Sequence, residues 1–406
     1  MNLAVADIRP AVPAHVPETL VRDVDYTDLI RGDEDSQEGW WRLQQTMPDL
    51  FWTRRNGGHW IVTRGALIEE IQQDHTRFSH REVRIPPVPS PWPMMIKMDP
   101  PRHTDLRKVV MPALNKTALK HLEDEARAAA REIVAKIAPR GKCEFVSEFS
   151  NVMPIVVFLN MMGLPLDHRE MLLERAEVAL RGATLEARTA GMAWIGNYVK
   201  EWVDRRRDAV TPDLISKIAH SDVGARPITY EETVGMCIML MLGGLDTVAS
   251  MVGFIARYLA MHPEARRRLR EDPAIMQSAI EELIRRHGLS NTARYVTQDM
   301  EFHGVRLREG DLIAVPNCLF GLDDRIHANP LEVDFDRPTP IRHAAFGNGV
   351  HICPGGILAR REIRVFIEEW LACVPDFAIA PGTHPKMVTD GLNALEELHL
   401  VWDVAQ

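Results

Sequence analysis

The stretch from Phe346 to Gly356, FGNGVHICPGG, sets one cysteine, Cys353, directly before an amphipathic pattern expected as a helix over 356–372. A thiolate so placed meets unpaired N–H groups and the positive end of the helix dipole, which favours the anion. Such a sulfur can serve as a nucleophile or as a metal ligand. A nucleophile wants a base held against it. His351 lies two residues away, but the direction of its ring is not written in the sequence. Gly347 and Gly349 permit an unusual backbone path ahead of the cysteine.

A second chemical oddity sits in the most apolar stretch, Thr233 to Ala256. Asp246 interrupts it, leaving 13 and 10 uncharged residues on either side. A membrane span wants about 18–20 without such a break, so the stretch reads as one long helix, 229–260, buried in protein. Thr229 and Glu232 form a capping box at its start. Gly243 and Gly244 each cost roughly 1 kcal/mol against alanine in a helix interior. The Thr247 hydroxyl can turn back to the Gly243 carbonyl and bend or open the helix. Asp246 and Thr247 are therefore either a paired structural kink or an acid–alcohol pair that moves protons into a cavity.

These positions need a scaffold, and the remaining pattern describes one. Helices are expected over 66–73, 100–110, 116–137, 149–161, 167–183, 190–208, 212–218, 263–270 and 273–287. Short strands are expected at 59–63, 293–305 with a His303-Gly304 turn, 311–316, 376–380 and 398–402. Many helices with a few late strands make a mainly α fold with a small β portion. No composition break marks a boundary, so 1–406 reads as one domain, with 1–35 a loosely structured arm. Forty-eight Lys+Arg against 57 Asp+Glu give a net charge of −9, which argues against general nucleic-acid binding. Five scattered cysteines without a CxxC pair argue against a disulfide framework or structural zinc and for a reducing cytoplasm. Met1 to Pro17 lacks the apolar core of a signal peptide.

Phe346-x-x-Gly349-x-x-x-Cys353-x-Gly355 resembles the haem-binding signature of the cytochrome P450 family. Gly243-Gly244-x-Asp246-Thr247 resembles that family's oxygen-activation segment, and Glu282-Leu283-Ile284-Arg285 its ExxR helix. The three occur in the family's order, and GGLDTV, LARREI and PDFAIAPG resemble the bacterial, soluble camphor-hydroxylating branch. The resemblance implies a single-domain fold with haem b between the long central helix and the cysteine-loop helix. It makes Cys353 the iron ligand, Asp246 and Thr247 the proton-managing pair, and His103, Arg107, Arg294 and His351 the propionate partners. Phe346, Gly349 and Gly355 would shape the cofactor loop. Glu282, Arg285 and Arg337 would form a structural ion-pair cluster. Pro354 has no N–H, so one donor that the family normally offers the sulfur is missing here.

The same resemblance assigns a substrate pocket to Trp92, Met94, Ile96, Met98, Met239, Leu242, Gly243, Ser290, Asn291, Val388 and Thr389. Two departures separate the chain from a camphor enzyme: Thr292 stands where that branch has an acid, and the loop 83–98 contains no tyrosine. A small, rigid, weakly polar terpenoid or norisoprenoid is the expected substrate, with dioxygen. No flavin or nicotinamide fingerprint is present. Electrons would come from a [2Fe–2S] ferredoxin and its NAD(P)H-dependent reductase. The ferredoxin would dock on Arg102, Arg107, Lys108, Arg342, His343, Arg360, Arg361 and Arg364. Two alternatives remain: a haem-thiolate peroxygenase or isomerase, disfavoured by the Asp246-Thr247 pair, and a non-catalytic carrier, which haem content would separate.

Overall fold

The computed structural model describes residues 9–32 and 34–404. The expected plan holds: mostly helix with small sheets. The helix Lys116–Ile137 shows why the pattern was legible. Asn115 caps it, its side chain accepting from the N–H groups of Thr117 and Ala118. Leu122, Ala126, Ala130, Val134 and Ile137 recur at helical spacing and are buried. That face packs on the cysteine-loop helix, Gly356–Cys373, and forms one floor of the largest apolar cluster.

The capping box at Thr229 and Glu232 is present. The expected single central helix is two, Tyr230–Leu245 and Thr247–Met261, parted at Asp246 with φ −124° and ψ −31°. Thr247 Oγ1 donates to the Gly243 carbonyl at 2.7 Å, so the hydroxyl takes the oxygen that a continuous helix would offer to the backbone. The glycines divide the work. A Cβ on Gly244 would strike the Phe158 ring, whereas one on Gly243 would meet nothing within 4 Å. By length and apolarity the span Tyr230–Met261 could cross a membrane, but 56% of its most apolar window is buried inside the fold.

Other boundaries shift for local reasons. The helix expected at 149 begins at Met153, behind a wide turn over Val146–Ser150. The one expected at 190 begins at Leu185, where the Thr184 side chain caps it. His303-Gly304 is the expected turn, joining Met300–Phe302 to Val305–Leu307 with both residues at positive φ.

The β portion is larger than expected. A mixed six-stranded sheet runs Val21–Arg22, Leu50–Thr53, His59–Val62, Leu312–Pro316, Asn291–Val296, Phe78–Ser79. Its first strand belongs to the supposedly loose arm, of which residues 1–8 lie outside the described residues. From Val16 onward that arm is core: Val16, Val24, Tyr26 and Leu29 are buried against the sheet. The helix Ser36–Thr46, unexpected from the apolar pattern, is capped by a full box between Asp35 and Glu38. Asp35 is buried and holds Arg286 at 3.0 Å and Arg257 at 3.4 Å, tying this helix to Met276–Arg286.

Candidate active site

A cavity of about 370 Å³ lies between the broken central helix and the cysteine loop. The loop is pinned by the Cys353 N–H, which donates to the Phe346 carbonyl at 2.8 Å. Gly349 has φ +68°, and a Cβ there would sit 2.5 Å from the Gln72 carbonyl oxygen. Only glycine fits. Among the described residues, Cys353 is the only cysteine lining the cavity. The residue is exposed to the open cavity. Burial pushes the thiol up, opposed by the N–H groups of Gly355 and Gly356 and by Arg107 and Arg360. The two N–H groups at the helix start favour the anion, as the sequence implies, and a cation held against the sulfur would offset the burial.

Beside the cysteine, three elements deliver four basic side chains to one edge of the cavity. His103 and Arg107 come from the helix Arg102–Val110, Arg294 from a sheet strand and His351 from the loop. The His103 and His351 rings lie 3.9 Å apart. Arg107 donates to the carbonyls of Ile352 and Val350 at 2.5 and 3.3 Å. Arg294 is held by the Thr292 hydroxyl at 3.0 Å, so the residue in place of the branch's acid positions the arginine without neutralising it. Burial pushes Arg294 down to about 9. It pushes His351 down to about 2, helped by repulsion from His103, Arg294 and Arg107. Arg294 Nε, His103 Nδ1 and His351 Nε2 are buried without partners. Orphaned donors that repel one another fit the carboxylates of a haem, and a cavity-facing sulfur fits its iron.

The opposite wall is the helix break. Thr247 and Gly243 line the cavity; Asp246 does not. Its carboxylate accepts from Arg181 at 2.5 Å and from the Ser250 hydroxyl at 3.3 Å. The rest of the cavity is mainly apolar: Met95, Ile96, Phe158, Met239, Leu240 and Val248 are typical.

Of the other expected pocket residues, Ile96, Met239 and Ser290 line the cavity, and seven do not. Trp92 packs under Gly196, where a Cβ would lie 2.7 Å from its indole nitrogen. Met94 is buried in the apolar cluster beneath the helices, and Met98 and Leu242 pack against it. The stiff 83–98 loop turns at Met95–Lys97, so Met95 and Ile96 alone reach the cavity from it. Asn291 is turned to the Asp390 carbonyl and Asn393. Val388 and Thr389 line a separate cavity of about 440 Å³ with Tyr26, Arg181 and Arg188. Glu282, Arg285 and Arg337 form the expected cluster away from the cavity. Glu282 takes Arg285 at 2.7 Å and Arg337 at 3.0 Å. Arg285 also donates to the carbonyls of Gly321, Pro330 and Glu332.

Sequence reasoning missed Glu362 and His80, both on the cavity wall. Glu362 hides in the run Arg360-Arg361-Glu362, which reads as a solvated face. His80 carries no spacing signal.

This helical fold, with a cysteine and a cationic edge sharing one cavity, defines a haem-thiolate protein. The cytochrome P450 family model matches residues 190–392. Probable cytochrome P450 127A1 of Sinorhizobium fredii is 30% identical over 96% of this chain and 97% of its own. Mycinamicin IV hydroxylase/epoxidase of Micromonospora griseorubida is 30% identical over 84% of this chain and 89% of its own. Among solved structures, CYP101C1 is 36% identical with a TM-score of 0.87, covering 97% of this chain and 100% of that one. CYP101J2 is 30% identical with a TM-score of 0.88 over the same shares. The chain belongs to the cytochrome P450 family; it is a P450 monooxygenase that uses haem b.

Proposed function

We propose that the protein hydroxylates a small, rigid, weakly polar substrate of the terpenoid or norisoprenoid class, with dioxygen and electrons from a [2Fe–2S] ferredoxin and its NAD(P)H-dependent reductase. The observation that carries this reading is one cavity holding Cys353 and four basic side chains on one side, Thr247 on the other, and mostly apolar side chains between. Bound haem supplies one-electron and dioxygen chemistry that no side chain here can perform.

The protein's part is ligand, anchor, proton path and shape. Cys353 Sγ holds the metal, while His103, Arg107, Arg294 and His351 hold the two carboxylates. Phe346, Gly349 and Gly355 set the loop. Gly243 leaves room in the helix wall. Thr247 Oγ1, kept in place by the Gly243 carbonyl, takes and passes a proton at the cavity surface, and Asp246 supplies it from behind the break. Met95, Ile96, Met239, Leu240 and Phe158 exclude water and select an apolar body, with Ser290 as a polar contact.

The ferredoxin face is less positive than its sequence suggests. Arg342 pairs with Glu69, His343 and Arg360 with Glu281, Arg361 with Glu123, Arg102 with Glu232 and Lys108 with Asp105. Arg364 bonds Gln277 and lies 3.9 Å from Glu368, and Arg107 bonds the loop carbonyls. Lys108 and Arg342 remain the most accessible charges, beside exposed Ile352 and Ile357 that flank the cysteine. Attraction through paired cations is weak and screened, so partner docking rests on both charge and apolar contact. The unpaired cysteines suit a reducing bacterial cytoplasm.

Thiolate ligation is tested by the reduced, CO-bound protein, which shows the strongly red-shifted Soret band. Cys353→His loses that band; its survival in the variant would remove Cys353 as the ligand.

A further inference from the structure

Among the residues without a role so far, His80 has the most specific surroundings. It follows the short strand Phe78–Ser79, which pairs antiparallel with Asn291–Val296 in the register Phe78↔Val296 and Ser79↔Tyr295. The next step in that register sets His80 opposite Arg294. Its ring stacks on His351 with centroids 3.4 Å apart and planes 12° apart. His351 in turn meets His103 at 3.9 Å, so three imidazoles form one column at the cationic edge of the cavity.

Asp99 fixes this arrangement from below. Its carboxylate accepts from the His80 N–H at 3.0 Å and from the Ser79 hydroxyl. Its carbonyl accepts from the His103 N–H at 3.1 Å. One residue thus sets the spacing between the strand end that carries His80 and the helix that carries His103 and Arg107.

The bonding of the ring decides which nitrogen is available. His80 Nδ1 lies 3.2 Å from the Ile96 carbonyl, which can only accept, so Nδ1 carries a proton. Nε2 is buried and has no partner, although His80 lines the cavity and is only 4% exposed. A buried imidazole nitrogen in that condition requires a partner. Repulsion from Arg294, His351 and His103 adds to burial in disfavouring the protonated ring. An anion among these groups reverses that balance.

We propose that His80 is a fifth partner of the haem carboxylates, donating from Nε2, and that its Nδ1 bond to the Ile96 carbonyl couples the anchor to the loop that presents Met95 and Ile96 to substrate. The inference rests on the haem reading above. His80 is a positioning residue; it adds a charge-assisted hydrogen bond and clamps His351 by stacking.

The test uses the holoenzyme and excess apomyoglobin as haem acceptor. His80→Phe keeps an aromatic ring against His351 and removes the donor; haem transfer accelerates about ten- to a hundredfold, the range of one hydrogen bond to a charged group. His80→Gln retains a donor at similar reach and stays near the parent rate. His80→Asn, which is too short to reach, behaves like His80→Phe and serves if the phenylalanine variant does not fold. The resonance Raman bending bands of the haem carboxylates shift in His80→Phe and His80→Asn and not in His80→Gln. A purely structural role would not sort the variants by donor reach. Parent-like transfer and unshifted bands in the donorless variants overturn the role of His80 while leaving the haem reading intact. A parent protein that binds no haem overturns the haem reading itself.

Discussion

The two helical elements that wall the cavity each carry an acid, Asp246 behind the surface and Glu362 facing it, and they keep it in opposite ways. Asp246, at the break in the central helix, has Arg181 on one oxygen and Ser250 on the other. Glu362, on the cysteine-loop helix, is buried, faces the cavity and has no hydrogen-bond or ionic partner among the described residues. Burial alone pushes its carboxyl up to about 8. An acid beside a cation stays ionised inside a protein; one without a cation keeps its proton. The consequence differs by wall. A neutral Glu362 puts no negative charge near the cysteine sulfur, where it would repel a thiolate. Asp246, held by Arg181 and Ser250, keeps a carboxyl group one residue from Thr247, behind the cavity surface.

The largest effect should come from removing the charge on the paired side. Asp246→Asn preserves an oxygen for Arg181 and much of the local shape, and removes the acid. Turnover should fall about 10²–10⁴-fold, the usual worth of general acid–base assistance, with the substrate-induced spectral change intact. Unchanged turnover would reduce Asp246 to a kink residue and erase the functional contrast between the walls.

The unpaired side predicts a stability effect. In the unfolded chain the Glu362 carboxyl titrates near 4.5, and in the folded one near 8. The folded state therefore binds more protons between those values, and its stability falls as pH rises through that window. The loss is on the order of 1 kcal/mol per pH unit, the upper limit for one group. Glu362→Gln should remove this slope, gaining on the parent from pH 5 to pH 8 in urea midpoints. Parallel slopes for the two proteins would show that Glu362 has a partner or access to water, and that the walls are alike.

The smallest effect is one of partition. Thr247→Ala frees the Gly243 carbonyl and deletes the hydroxyl that follows Asp246 in sequence and lines the cavity, leaving the Ser250 hydroxyl on the Asp246 carboxylate. NAD(P)H consumption should stay near the parent rate, while hydrogen peroxide rises severalfold per NAD(P)H and alcohol falls. A fully coupled variant would end the proton-relay reading and leave Thr247 as a device that holds the helix open.

The opening of the helix at Thr247, the Thr229–Glu232 box and the helix Lys116–Ile137 were legible in the sequence because their causes are local. A hydroxyl four residues from a carbonyl, a cap and a periodic apolar face act within one or two turns. The cysteine loop was legible for the same reason: left-handed glycines and a helix start are written side by side. The helix Ser36–Thr46 went unread: its apolar pattern is weak, its one local mark is the Asp35–Glu38 box, and Asp35 is held by arginines more than 220 residues away.

Tertiary structure decided which side chains face the cavity. Met95 and Ile96 reach it and Met94 does not, because a single short turn orients the loop. Val388 and Thr389 open on another cavity altogether. It also decided how the acids are paired, since Arg181 reaches Asp246 across 65 residues and, among the described residues, no cation pairs with Glu362. Burial and long-range pairing are properties of the packed chain. Residue types and spacing therefore fixed the class of chemistry, and packing alone fixed which groups are paired, which are orphaned and which point at the reacting space.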